Sequence, residues 1–114
     1  MYKSLGRITT VAAGTPVQVT ANESDPRALI MAHSIIVQQV EGNAGKIYLK
    51  SLVNGDYGTI LTIPVPTLNG AGKAEVLPWE ELKFDSGINA IVANQLYIDT
   101  EFGAESADVS LSIS

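Results

Sequence analysis

The run from Asp108 to Ser114, DVSLSIS, decides the fold of this chain, because polar and apolar residues alternate in it without interruption. Successive side chains of a β-strand point to opposite faces, so a period of two is typical of a half-buried strand. We expect the apolar residues of this run to face a hydrophobic core and its serines to face solvent or a partner. The core-facing set is Val109, Leu111 and Ile113.

Short strand-like runs separated by turn residues fill the remainder of the chain. The β-branched run from His33 to Val40 and the run from Lys46 to Lys50 are joined by Gly42-Asn43-Ala44-Gly45, which predicts a β-hairpin. Prolines shorten the predicted strand from Thr59 to Val65, which suits a sheet edge. Ile88 to Gln95 is the one segment in which we expect a helical turn.

Turn signals recur at roughly every ten residues, a spacing that indicates antiparallel strands rather than βαβ units. We therefore predict an all-β fold: a jelly-roll-like antiparallel β-sandwich of about eight strands, with an immunoglobulin-like sandwich as the alternative. At 114 residues the chain fits a single β-sandwich domain, 1–114, that buries a core without disulfides.

Composition excludes several classes of partner. The net charge is −5 with only 7 Lys and Arg, so we expect no direct binding of nucleic acid. No apolar run approaches the length of a membrane span, and the first residues lack the apolar stretch of a signal peptide, so we expect folding in a cytoplasm and no membrane partner. The absence of cysteine excludes disulfides and thiolate metal sites.

Reactive chemistry is sparse, and we expect neither an enzyme nor a cofactor. His33 is the only histidine, and no nucleophile or metal-ligand pattern accompanies it. The run Gly42 to Lys46 has too few residues between its glycines for a phosphate loop, and Ile47 stands where that loop needs Ser or Thr. The carboxylates around residues 99–108 match no calcium loop, so we expect solvent-facing side chains and no metal site.

Trp79 is the only tryptophan and follows Pro78 in a loop-like segment. Three interpretations are open: it closes the core, it anchors a protein interface, or it belongs to a sugar-stacking platform.

The order of these segments resembles a group of small tailed-bacteriophage virion proteins. The resemblance begins with Leu5-Gly6-Arg7-Ile8-Thr9 and Gly14-Thr15-Pro16-Val17, continues with a His-containing strand leading to Gly42-Asn43-Ala44-Gly45-Lys46-Ile47-Tyr48, and ends with Leu96-Tyr97-Ile98-Asp99. Asn54 to Phe84 matches nothing in that pattern.

The resemblance implies a capsid decoration, or cement, protein that binds the major capsid protein on the outside of the head, as a homo-oligomer with a trimer favoured. A virion location follows, with collar, tail tube or head-fibre base as other positions in it. A carbohydrate-binding module is the alternative from a different class. We expect contacts within 54–58 and 69–73 and at the aromatic residues and serines. The candidate interface residues are Trp79, Tyr57, Asn54, Asn69, Lys73, Ser110 and Ser112.

Overall fold

The computed structural model describes residues 2–24, 31–68, 74–84, 91–92 and 95–112. These residues form β-strands joined by turns. The strands are β1 (Tyr2–Thr9), β2 (Val17–Gln18), β3 (Met31–Ala32), β4 (Ser34–Gln39), β5 (Ile47–Val53), β6 (Asp56–Ile63), β7 (Thr67–Leu68), β8 (Ala74–Val76), β9 (Trp79–Lys83), β10 (Ile91–Val92), β11 (Leu96–Thr100) and β12 (Ser106–Ser112). Within this part of the chain no helix has the length and hydropathy needed to cross a membrane.

Two four-stranded antiparallel sheets pack face to face. The first sheet has the order β1-β12-β4-β9 and the second has the order β2-β11-β5-β6. Two short strand pairs, β3 with β10 and β7 with β8, lie outside them. The predicted all-β sandwich is therefore confirmed.

The pairing is nested from the ends of the chain inwards. The strand β1 pairs with β12, β2 with β11, β3 with β10 and β4 with β9, while β5 and β6 form the innermost hairpin. Additional pairing of β12 with β4 and of β11 with β5 rolls this long ribbon into two sheets. This order is that of a jelly roll, as predicted, and not of an immunoglobulin-like sandwich.

The core lies between the two sheets and is built by strand alternation. Along β12 the side chains alternate between half-buried and buried, with Val109 and Leu111 at 1% and 0% exposure, as the sequence predicts. They lie opposite Val37 and Ile35 on β4. The second sheet contributes a facing apolar layer of Ile47, Leu49, Ile63, Leu96 and Ile98. Ile113 lies outside the described residues.

The predicted hairpin at Gly42-Asn43-Ala44-Gly45 is wrong, because β4 and β5 belong to different sheets. This loop crosses the sandwich, where the sheets are about 10 Å apart, instead of joining strands about 4.8 Å apart. The true hairpin joins β5 to β6 through Asn54 and Gly55, whose φ angles of 52° and 82° are those of a two-residue type I′ turn.

Two other segments differ from their predictions. The strand expected over 59–65 begins earlier, at Asp56, so the turn before it is confined to Asn54 and Gly55. The expected edge position of the following strand is confirmed, since β6 is the last strand of the second sheet. Part of the expected helical turn at 88–95 is the strand β10, and the remainder lies largely outside the described residues.

Candidate partner-binding surface

One end of the sandwich, here called the loop end, gathers four connections. They are residues 10–16 between β1 and β2, 40–46 between β4 and β5, 101–105 between β11 and β12, and the segments that leave β6 and enter β9. The hairpin turn at Asn54 lies at the opposite end, because β5 runs away from the loop end.

The buried amide of Gln39, only 1% exposed, holds these connections together. Its Nε2 donates to the carbonyl oxygens of Gly45 and Pro64, both at 3.0 Å. Its Oε1 accepts from the Val40 amide at 3.1 Å and from Asn43 Nδ2 at 2.6 Å. One side chain therefore satisfies polar groups of two separate connections, which fixes their relative position.

Carboxylates of the neighbouring connection bind the amides of the crossing loop. Glu105 accepts from the amides of Ala44 and Gly45, at 2.6 and 3.0 Å, and Glu101 accepts from the Lys46 amide at 3.0 Å. The backbone donors that resemble a phosphate loop in sequence are thus occupied by the chain's own side chains. Among the described residues no three acidic, His or Cys side chains are grouped to hold a metal ion.

Asp99, also in this acidic stretch, is a second anchor of the loop end. Its side chain is 3% exposed and lies 2.7 Å from Lys50 Nζ, an ion pair between β11 and β5. The same carboxylate accepts from the Gly14 amide at 3.0 Å. Asp99 therefore ties the β1–β2 connection to the second sheet, and the solvent-facing position expected for it is wrong.

Four large apolar side chains project from this rigid end. Val11 is 86% exposed, Trp79 58%, Phe102 50% and Val65 43%. Val11 lies in the β1–β2 connection and Phe102 in the β11–β12 connection, whereas Val65 follows β6 and Trp79 opens β9. Neighbouring strands are about 4.8 Å apart, so the row extends over roughly 14 Å from the β1 edge to the β9 edge. An exposed apolar row on a rigid base is typical of a protein-binding surface.

Trp79 does not close the core. It opens β9 opposite Gln38 rather than lying in a loop, and its ring is largely exposed at the loop end. Of the three interpretations, the core one is wrong. The sequence did not predict that Phe102 and Val11 belong to this surface, because single apolar residues in turns carry no periodic signal.

A second apolar group lies at the hairpin end. Val53, Tyr57 and Ile60 are 60%, 47% and 38% exposed. The Tyr57 ring meets the Tyr97 ring edge to face, with centroids 5.0 Å apart and planes at 84°. Burial raises the pKa of the Tyr97 phenol, and the neighbouring Tyr57 raises it further.

The carbohydrate alternative requires coplanar aromatic rings near Trp79. Trp79 belongs to the first sheet at the loop end, whereas Tyr57 and Tyr97 belong to the second sheet and are perpendicular to each other. Among the described residues the structure therefore offers no flat pair next to Trp79.

The remaining predicted contact residues fall in three places. Asn54 forms the turn of the β5–β6 hairpin. Ser110 and Ser112 are half-buried on β12, whose backbone pairs on both sides with β1 and β4, so this strand has no open edge at which they could pair with a partner strand. Ser110 instead lines a shallow depression of about 230 Å³ on the outer face of the first sheet. Asn69 and Lys73 lie outside the described residues.

Comparison of the chain with protein-family models, with curated proteins and with solved structures finds no match.

Proposed function

We propose that this chain is a structural protein of a tailed-bacteriophage virion, a decoration protein that binds the outside of the head through its loop end. The observation that carries the proposal is the row of exposed apolar side chains at an end whose connections are held together by hydrogen bonds of Gln39, Asp99 and Glu105. The row consists of Val11, Phe102, Val65 and Trp79. The major capsid protein is the proposed partner.

The physical requirements of a cement protein agree with this surface. A rigid base lowers the entropy that is lost when a partner binds, and burial of exposed apolar area supplies about 25 cal/mol per Å². Such a protein stabilises the head by binding the assembled lattice in preference to dissociated subunits. The jelly roll also occurs among viral capsid domains, which is an argument by analogy of fold.

Cosedimentation with heads stripped of this protein tests the proposal. We expect saturable binding to the heads and a higher temperature of head disruption. The Val11→Glu and Trp79→Glu variants should each bind at least tenfold more weakly, because an unpaired charge would be buried in the interface. Val53→Glu is the matched control, since it adds the same charge at the opposite end.

Two outcomes would count against the proposal. Absence of binding to mature and immature heads would exclude the cement role and direct the search to tails and necks. Loss of binding in the Val53→Glu variant, with normal binding in the two loop-end variants, would place docking at the hairpin instead.

A further inference from the structure

The four edges of the two sheets differ in how they are protected from pairing with another chain. On the β1 edge, the Asn22 amide donates to the carbonyl oxygens of Leu5 and Arg7, at 3.3 and 2.8 Å. The strand β2 has only two residues. Three of the five residues of β9 are charged. Short, capped and charged edges are the usual defences against strand pairing.

The fourth edge, β6, lacks these defences. It has eight residues, and its single charge is at its first position, Asp56. Among the described residues no strand pairs with its outer side. Its one irregularity is a bulge, where the register with β5 skips Ile60. Because a bulge turns an edge away from a partner, the segment available for pairing is 56–59.

The hairpin register shows which backbone groups of this segment point outwards. Val53 and Asp56 close the two-residue turn, so they form a hydrogen-bonded pair, and Ser51 with Gly58 forms the next such pair. Tyr57 and Thr59 belong to the alternate pairs of the ladder, which do not exchange hydrogen bonds with β5. The amide and carbonyl groups of Tyr57 and Thr59 therefore point to the open side of the sheet.

Gly58 lies between Tyr57 and Thr59, and the space where its side chain would be is open. A Cβ built there meets nothing within 4 Å. Gly58 also lines an open depression of about 360 Å³ whose other walls include Val53, Tyr57 and Ile60. An approaching strand therefore meets no side chain at Gly58 and covers exposed apolar surface beside it.

We propose that β6 pairs antiparallel with β6 of a second copy of this chain, about a two-fold axis at Gly58. Each Tyr57 then faces Thr59 of the other copy, an aromatic and β-branched pair that is favourable across strands. The two Asp56 carboxylates lie about 13 Å apart, beyond the Debye length of about 8 Å at physiological salt. An isologous contact of this kind closes after two copies.

The apolar area at this edge is small, so we expect a weak dimer with a dissociation constant on the order of 100 μM. Sedimentation equilibrium of the full chain from about 10 μM to about 1 mM would follow it. The expected result is a rise from 12.0 kDa towards twice that mass. Gly58→Lys and Gly58→Glu should each abolish the rise, because identical charges would meet at the axis.

An equimolar mixture of the Gly58→Lys and Gly58→Glu variants should restore the dimer, which a misfolded protein would not do. Thr62→Lys is the matched control, because its exposed side chain lies on the same strand beyond the bulge. A monomer at every concentration, a trimer, or a dimer that persists in Gly58→Lys would each overturn the proposal. Head binding through the loop end is measured separately and does not depend on this result.

Discussion

Replacement of Gln39 by Met is the sharpest test of how the loop end is held. Met has nearly the volume of Gln but removes all four hydrogen bonds of the amide. The Gly45 carbonyl and the Val40 amide belong to buried residues, so each loses its partner without gaining water. At about 1.5 kcal/mol for each group, the free energy of unfolding should fall by about 3 kcal/mol.

For a chain of this size, that loss corresponds to a decrease in Tm of about 12 °C. Urea unfolding followed by circular dichroism measures the free energy directly. Gln38→Met is the control, because Gln38 is the exposed neighbour on the same strand and should change stability by less than about 0.5 kcal/mol. A loss below about 1 kcal/mol in Gln39→Met would refute the view that this amide ties the connections together.

Three further changes probe other parts of the structure. Gly45→Ala should cost about 1–3 kcal/mol, because the new Cβ would lie 2.7 Å from the Phe102 ring. Asp99→Asn should cost about 2–3 kcal/mol in urea unfolding, since it leaves Lys50 without its buried counter-charge. Tyr97→Phe should flatten the fall in stability above about pH 10, because the raised pKa of Tyr97 makes a contribution that is present below the unfolded-state pKa and is lost as pH rises.

Matched variants separate these effects from general sensitivity to mutation. Gly58→Ala places the same methyl group in open space. Asp108→Asn breaks an exposed ion pair with Arg7, 2.9 Å long, and should change stability far less than Asp99→Asn, because solvent screens the exposed charges. If Gly45→Ala and Gly58→Ala lowered stability equally, the packing explanation for Gly45 would be contradicted. If Asp99→Asn and Asp108→Asn lowered it equally, the explanation from the burial of Asp99 would be contradicted. Parallel alkaline unfolding profiles for wild type and Tyr97→Phe would contradict the assignment of the pKa shift.

The sequence allowed the class of fold to be predicted because alternation reports burial directly. The run that contains Val109 and Leu111 needed no tertiary information, since the residues on one face of a strand share one environment. Connectivity was harder. The Gly42 to Gly45 loop and the Asn54-Gly55 turn have similar turn residues, yet one crosses between sheets and the other makes the hairpin. The residue types of a turn do not determine how far apart the two strands that it joins lie.

The candidate surface was predictable only in part. Trp79 and Tyr57 attracted attention as large aromatic residues, and both are exposed. Their separation to opposite ends of the sandwich depends on the strand order, which no single segment encodes. The role of Gln39 could not be predicted either. A single polar residue in an apolar strand can be recognised as a buried anchor only when its hydrogen-bond partners in distant loops are known.

The pairing of β1 with β12 has a practical consequence for attaching cargo to this protein. Tyr2 lies opposite Ser112, at the end of the sandwich away from the loop end. Both strands also lie on the side of the sandwich away from β9 and β6. A peptide or domain joined ahead of β1 or after β12 would therefore leave from the end opposite the loop end, on the side of the sandwich away from β6. If the loop end binds a head, such fusions would be displayed outwards. They would not obstruct the contact of the loop end with the head.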